Sequence, residues 1–284
     1  MAEVDHLIAT WITDNLVYII LFFLLAWTFK KHSAALRHRW FAFILSRLTK
    51  EKDAKLEEVK KDLFASLGAI VSHDPQLRKN KAIKILEVGV GTGVNFSHYP
   101  NGSHLTVVDP NPHFVKYYND NRKKFPNIHS QDIIVTTGEE MDQVESNSVD
   151  VVVMTLVLCS VGHTDKILQQ ILRVLVPVSC VLVPVSCVLV PVSCVLVPGG
   201  KFYFLEHIRE FDSEKYGIRQ KLQDFLSETG IWPLLFDGCC LNRDMLSAIN
   251  EAGFSSVDGE RFYAPISNFF FKIIQPQLKG VAEK

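Results

Sequence analysis

The sequence predicts a doubly wound α/β fold built on a mostly parallel, seven-stranded sheet, and three observations carry that prediction. From Lys81 onward, short apolar runs alternate with polar segments of helical period, the pattern of a parallel sheet covered on both faces. The first run ends in Glu87 and opens into Gly89-Val90-Gly91-Thr92-Gly93, with glycine at every second position. The second run ends in Asp109, twenty residues after Gly89. Ligands of such sheets bind beyond the carboxyl ends of the strands, where both features fall.

Taken in order, the chain first offers Leu16–Phe29, fourteen apolar residues followed at once by Lys30, Lys31, Arg37 and Arg39. As a helix this run is about 21 Å long, shorter than the ~30 Å hydrocarbon core of a bilayer. Glu3 and Asp5 precede it and the cations follow, the reverse of a cleaved signal peptide. It reads as a retained membrane anchor, with the body of the protein on the cytosolic side. Trp40–Leu45, between Arg39 and Arg47, extends it as a surface-lying amphipathic segment. Net charge is −1, yet Lys30–Lys61 holds ten Lys/Arg against four Asp/Glu, an excess suited to anionic headgroups. No global field points to nucleic acid. Residues 1–48 are assigned to the anchor and basic segment, and 49–284 to the folded domain.

Within that domain, Leu56, Val59, Leu63, Leu67 and Ile70 step at helical spacing, so an amphipathic helix is expected over Glu51–Ile70. Strands are expected at Ile83–Val88, Leu105–Asp109, Ile133–Thr137, Val149–Thr155 and Lys201–Glu206, with helices near 112–125 and 164–175. Helices near 213–228 and 243–252 follow, then strands at Val257–Ala264 and Phe269–Ile274. PVSCVLV occurs three times in tandem over 177–197, and a proline every seventh residue rules out one continuous helix. This reads as a tandem expansion inside a loop, because removing it joins Val176 to Pro198-Gly199-Gly200 as an ordinary helix-to-strand turn. Six cysteines are present, three of them in the repeat and none in a C-x-x-C pair, so no metal site is expected.

The glycine spacing selects among cofactors. A pyrophosphate fingerprint is G-x-G-x-x-G, and the position it needs holds Val94. The glycines Gly89, Gly91 and Gly93 let the backbone lie directly against a ligand, with Glu87 beside them as an acceptor. Asp109, at a strand end, suits both ribose hydroxyls of an adenosine. Glu139, after the third strand, is placed to accept from an adenine amine, although Glu140 is adjacent. Thr155 to Ser160 should line the crevice, and their apolar character favours a lipophilic acceptor. Glu206-His207 is a candidate general base, and Cys159 has no recognisable partner as a nucleophile.

The E-x-G-x-G-x-G loop resembles motif I of the class I methyltransferases. Leu86-Glu87-Val88-Gly89, Val108–Pro112, Gly138–Met141, Thr155–Val161, Phe204–His207 and Leu235–Cys239 together resemble the methyltransferase-like protein 7 family of membrane-anchored thiol S-methyltransferases. The resemblance implies a Rossmann-like methyltransferase sheet with an N-terminal membrane-anchor helix. It also implies S-adenosyl-L-methionine as donor, bound through Glu87, Gly89, Gly91, Gly93, Asp109, Glu139 and Thr155. Small lipophilic thiols are the implied acceptors, at the endoplasmic reticulum membrane and lipid droplets. A lipid or quinone hydroxyl or carbon acceptor, or a droplet-binding protein with vestigial activity, is the alternative. The tandem insertion is not a feature of that family. A thiol acceptor is already a good nucleophile, so no catalytic residue is assigned.

Overall fold

The computed structural model describes residues 21, 34–49, 54–183, 193–266, 268 and 270–284. Among these, seven strands form one sheet in the order β3-β2-β1-β4-β7-β9-β8. They are β1 (Lys84–Val88), β2 (His104–Val108), β3 (His129–Ser130), β4 (Val151–Thr155), β7 (Lys201–His207), β8 (Ser256–Tyr263) and β9 (Pro276–Glu283). β1 pairs in parallel with β2 and β4, and β4 with β7. β9 lies antiparallel to both of its neighbours. The strand order reverses at β1 and β4, and the glycine run leaves β1 at that switch point.

Both faces of the sheet are covered, which is why its central strands read as continuous apolar runs. Ile85, Val151, Val153, Tyr203 and Leu205 face one way, onto Phe64 of helix α2 (Ala54–Phe64), Leu67 just after it and Tyr118 of α4 (Val115–Arg122). Leu86, Val152, Met154, Phe202 and Phe204 face the other, onto Ile167 and Ile171 of α5 (Thr164–Val174) and Ile249 of α8 (Met245–Glu251). The period-2 alternation thus splits one run of residues between two cores. The short helix α3 (Pro75–Lys79) is capped by Asp74, and α6 (Ser213–Glu228) and α7 (Ile231–Leu235) close the far side.

Three expectations change. Phe270–Ile274 is a 3-10 turn, not a strand, and Phe269 lies outside the described residues. The strand that fills this place in the sheet is β9, whose sequence PQLKGVAE carries proline and glycine. Proline is tolerated because it opens the strand. Gly280 faces Gly259 across the ladder, and a Cβ there would stand 2.5 Å from Phe204 Cζ, so the pair makes room for that ring. The expected third strand at Ile133–Thr137 contributes one bridge, Ile134 with Val108, and the edge strand is the two-residue β3. The helix expected over Glu51–Ile70 ends at Phe64 and continues as a 3-10 turn to Ala69.

The first and third PVSCVLV copies pair as an antiparallel hairpin, β5 (Ser179–Val183) with β6 (Ser193–Val197), rather than lying in a loop. The middle copy lies outside the described residues. Beneath the hairpin, Gly200 N–H donates to Val176 O at 2.8 Å, so the two ends of the insertion meet within the domain.

Apart from Leu21, the apolar run Leu16–Phe29 also lies outside the described residues. Among the described residues no helix is long and apolar enough to cross a membrane. Residues 34–48 form helix α1, which contains the expected amphipathic segment Trp40–Leu45 and packs one side against the domain. Ala42 is fully buried, Phe41 meets Phe114 edge-on at 6.0 Å, and Arg37 pairs with Asp237 at 3.1 Å. The opposite side of α1 exposes Leu36, Trp40 and Phe43.

Candidate active site

β1 delivers the chain into a loop in which Gly89, Gly91 and Gly93 all take positive φ, +71°, +52° and +75°. An L side chain is strained there by roughly 1–2 kcal/mol per residue. Space adds a second constraint: a Cβ on Gly89 would stand 2.3 Å from Val157 Cγ2, and one on Gly93 2.6 Å from Phe96 Cε2. Gly91 is different. Its nearest neighbour would be Leu45 Cδ2 of α1 at 3.5 Å, so helix α1 covers the loop at its middle glycine. Thr49 and Thr92 hydroxyls, 3.3 Å apart, fasten the same edge.

Asp109 follows β2 and is buried. Its Oδ2 accepts from Gly91 N–H and its Oδ1 from Asn111 N–H, each at 2.9 Å. Burial pushes its carboxyl up to about 6, against the pull of those two amides, with Asp237 adding a smaller push. Asn111 Nδ2 reaches His38 O at 2.8 Å and Asp237 at 3.4 Å. The loop, Asp109 and α1 are therefore one connected unit.

Glu87 is also buried, and both of its oxygens accept from the chain itself. Asn95 Nδ2 donates to Oε1 at 2.8 Å and Tyr99 O–H to Oε2 at 2.7 Å. Burial pushes Glu87 up to about 7, these two hydrogen bonds opposing it. Asn95 is the hub: it also donates to Thr155 Oγ1 at 3.1 Å and accepts from Lys60 Nζ at 3.1 Å. Thr155 closes β4, so this network ties the carboxyl ends of β1 and β4 together. Glu139 lies farther along the crevice, where its Oε1 accepts from Gly162 N–H (2.8 Å) and His163 N–H (3.3 Å) at the start of α5.

The fold thus brings Gly89, Gly91, Gly93 and Asp109 together and joins Glu87 to Thr155 through Asn95. Glu139 holds the β4–α5 turn through one oxygen. Sequence reasoning missed Asn95, Tyr99, Arg37 and Asp237. For Asn95 no signal existed beyond its place after the glycines, whereas Asp237 lies in the Leu-Phe-Asp-Gly-Cys stretch that carried the resemblance.

Beyond Thr155 the backbone is tight: Leu156 takes φ +59°, and Glu206 Oε1 accepts from Val157 N–H at 2.9 Å. Burial pushes Glu206 up to about 7. Cys159, His207 and Cys239, from three separate segments, have side-chain donor atoms within 4.8 Å of one another. This grouping was not anticipated by the absence of close cysteine spacing. The hydrogen bond to Cys239, then burial, holds the Cys159 thiol well above its ordinary range. Left to itself, Cys159 is no nucleophile at neutral pH.

The glycine cradle that Cβ atoms would fill, with a buried carboxylate hydrogen-bonded to its centre, fits an adenosine-type cofactor. Known proteins agree. A family model described as a methyltransferase domain matches residues 86–183. Human thiol S-methyltransferase TMT1A is 34% identical over 247 residues, 87% of this chain and 86% of its own. Human thiol S-methyltransferase TMT1B is 31% identical over 278 residues, 95% of this chain and all of its own. Among solved structures, the [4+2]-cyclase SpnF matches with a TM-score of 0.52 at 15% identity, over 79% of each chain. That last likeness concerns fold alone, since one fold hosts many chemistries. The chain belongs to the thiol S-methyltransferase family and is an S-adenosylmethionine-dependent methyltransferase.

Proposed function

We propose that this enzyme methylates the sulfur of small lipophilic thiols at a membrane surface. The observation that carries the lipophilic part is an exposed apolar strip beside the carboxyl ends of β4 and β7. Ile218, Leu222 and Phe225 recur along α6 and all face solvent, Ile218 at 86% exposure. Leu234 and Leu235 of α7 and Phe270 continue the strip, and Phe270 stacks on Trp232 at 5.8 Å. Contiguous exposed apolar residues of this kind mark contact with membrane or apolar ligands. The exposed Leu36, Trp40 and Phe43 of α1, next to the basic segment and the expected anchor, support the same reading. Attachment to endoplasmic reticulum membrane and lipid droplets, with the domain in the cytosol, belongs to this proposal.

S-adenosylmethionine, when bound, supplies a methyl group on a positively charged sulfur. Asp109 would accept from the ribose hydroxyls with the lone pairs its two amide partners leave over. The three glycines, whose own N–H groups are taken by Val108 O, Asp109 and Val90 O, would let the cofactor lie against bare Cα atoms. Glu87, through Asn95, ties the start of the loop to Thr155. Glu139, whose Oε1 is engaged at α5, would have Oε2 left for the adenine amine. The chain's remaining task is to align the acceptor sulfur and exclude water, which by itself accounts for much of a rate enhancement. The test is methyl transfer from labelled donor to a panel of thiols by full-length protein in detergent. Methyl thioethers should form, fastest with the more lipophilic thiols, and Asp109→Ala should abolish them. Equal activity of that variant, or product only from hydroxyl acceptors, would overturn the proposal.

A further inference from the structure

Cys159, His207 and Cys239 take no part in the cofactor cradle, yet the fold spends three segments on assembling them. Cys159 follows β4, His207 ends β7, and Cys239 lies just beyond α7, at separations of 48 and 32 residues. All are buried, at 1%, 3% and 8% exposure. His207 Nε2 stands 2.9 Å from Cys239 Sγ, and the three donor atoms lie within 4.8 Å of one another. Trp232 Nε1–H also donates to Cys239 Sγ at 3.3 Å, a contact suited to a sulfur that carries negative charge. Two thiolates and one imidazole are the donors that a thiophilic d10 cation takes, and zinc with three protein ligands keeps a fourth position. The place is informative as well. Val157, two residues before Cys159, packs onto Gly89 of the cofactor loop.

We propose that Cys159, His207 and Cys239 form a zinc site whose fourth position takes the sulfur of the acceptor thiol. This rests on the thiol methyltransferase reading and specifies how that acceptor is held. Two thiolates and a neutral imidazole cancel the charge of zinc, so the acceptor thiolate brings one net negative charge. Arg243, whose Nη1 donates to Leu158 O at 2.9 Å and whose Nη2 lies 3.9 Å from Cys240 Sγ, stands beside the site to offset it. Coordination removes the acceptor's S–H proton to solvent, because metal binding selects the thiolate. The sulfur electron pair then forms the bond to the methyl carbon as the methyl–sulfonium bond breaks, and that bond's pair stays on the donor sulfur. The neutral thioether is a poor ligand and leaves. Nothing is oxidised or reduced.

The test uses full-length protein purified in detergent. It should contain one zinc per chain by elemental analysis, and Cys159→Ala or Cys239→Ala should lower this below about a tenth. Donor binding, followed by calorimetry, shows whether each variant has folded. Cobalt(II) exchanged into the parent protein should give the visible bands of a tetrahedral sulfur site and a sulfur-to-metal charge-transfer band. A lipophilic thiol should shift both, whereas S-adenosylmethionine alone should not. Metal-free protein that gives no such cobalt spectrum overturns the proposal. So does a Cys159–Cys239 disulfide in the purified chain, or a cobalt spectrum that no thiol moves. Failure of the broader reading looks different: donor binds, but no thiol is methylated, whatever the metal content.

Discussion

Donor affinity should depend on pH through Asp109, and the size of the effect follows from its burial. Its carboxyl is pushed up to about 6, while its ordinary value is 3.8. Accepting from two ribose hydroxyls requires the carboxylate, so binding releases the proton that the free protein holds below that pH. The sign is therefore fixed: affinity rises with pH through about 6 and levels off above 7. At pH 5 only about a tenth of the protein carries the ionised group, so the apparent dissociation constant should be about tenfold weaker than at pH 7.5. S-adenosylhomocysteine, titrated calorimetrically in two buffers of different ionisation enthalpy, reads both the affinity and close to one proton released at pH 5. Asp109→Asn should bind more weakly throughout and lose the slope. A flat parent profile, or the same slope in the Asn variant, would refute the reasoning. A midpoint near 7 that survives in Asp109→Asn would transfer the linkage to Glu87.

Asp237→Asn should move the Asp109 midpoint downward, since Asp237 adds to the upward push, and the same calorimetry would register it. Gly89→Ala should cost about 2–5 kcal/mol, from left-handed strain plus overpacking against Val157, measured by denaturant unfolding. Glu87 is protonated in the folded state up to about 7 but ionises near 4.5 when unfolded, so the folded state holds more protons between those values. Its contribution to stability is present at acid pH and is lost as pH rises through about 7, a loss of about 3 kcal/mol. Glu87→Gln should flatten that part of the stability profile. Deleting 177–197 should preserve donor binding, because Val176 and Gly200 already meet, and shortening the connection gains up to about 2 kcal/mol of loop entropy. A deletion variant that cannot bind donor would contradict this.

β1, β2, β4 and β7 were legible because they are buried on both faces and read as short apolar runs, aliphatic in the first three and aromatic in β7. β9 was not, because a lysine, a glycine and an opening proline disguise a central strand whose form depends on the ring of Phe204. The neighbouring apolar run at Phe270–Ile274 attracted the strand assignment instead, and short apolar runs do not distinguish strand from turn by period. The glycine loop and Asp109 were readable because one backbone geometry demands those residue types at those places. Asn95 was not, since a hub is defined by what meets it in space. The Cys159–His207–Cys239 grouping depends on three turns converging, which spacing along the chain does not encode. The amphipathic character of Trp40–Leu45 was legible, but which surface its Phe41, Ala42 and Leu45 would cover was not, because periodicity does not name the partner.

Helix α1 sets a tether length. Only residues 30–33 separate its described start from the end of the apolar run at Phe29, and that link spans at most about 18 Å when fully extended. Near that start Arg37 pairs with Asp237, and the other end of α1 is fastened to the glycine loop by Leu45 and Thr49. With the chain anchored as proposed, the methyl donor is therefore held within a short, fixed reach of the bilayer surface. An acceptor dissolved in the bilayer then meets the enzyme by lateral diffusion. Turnover should follow the thiol's mole fraction in the membrane rather than its concentration in water.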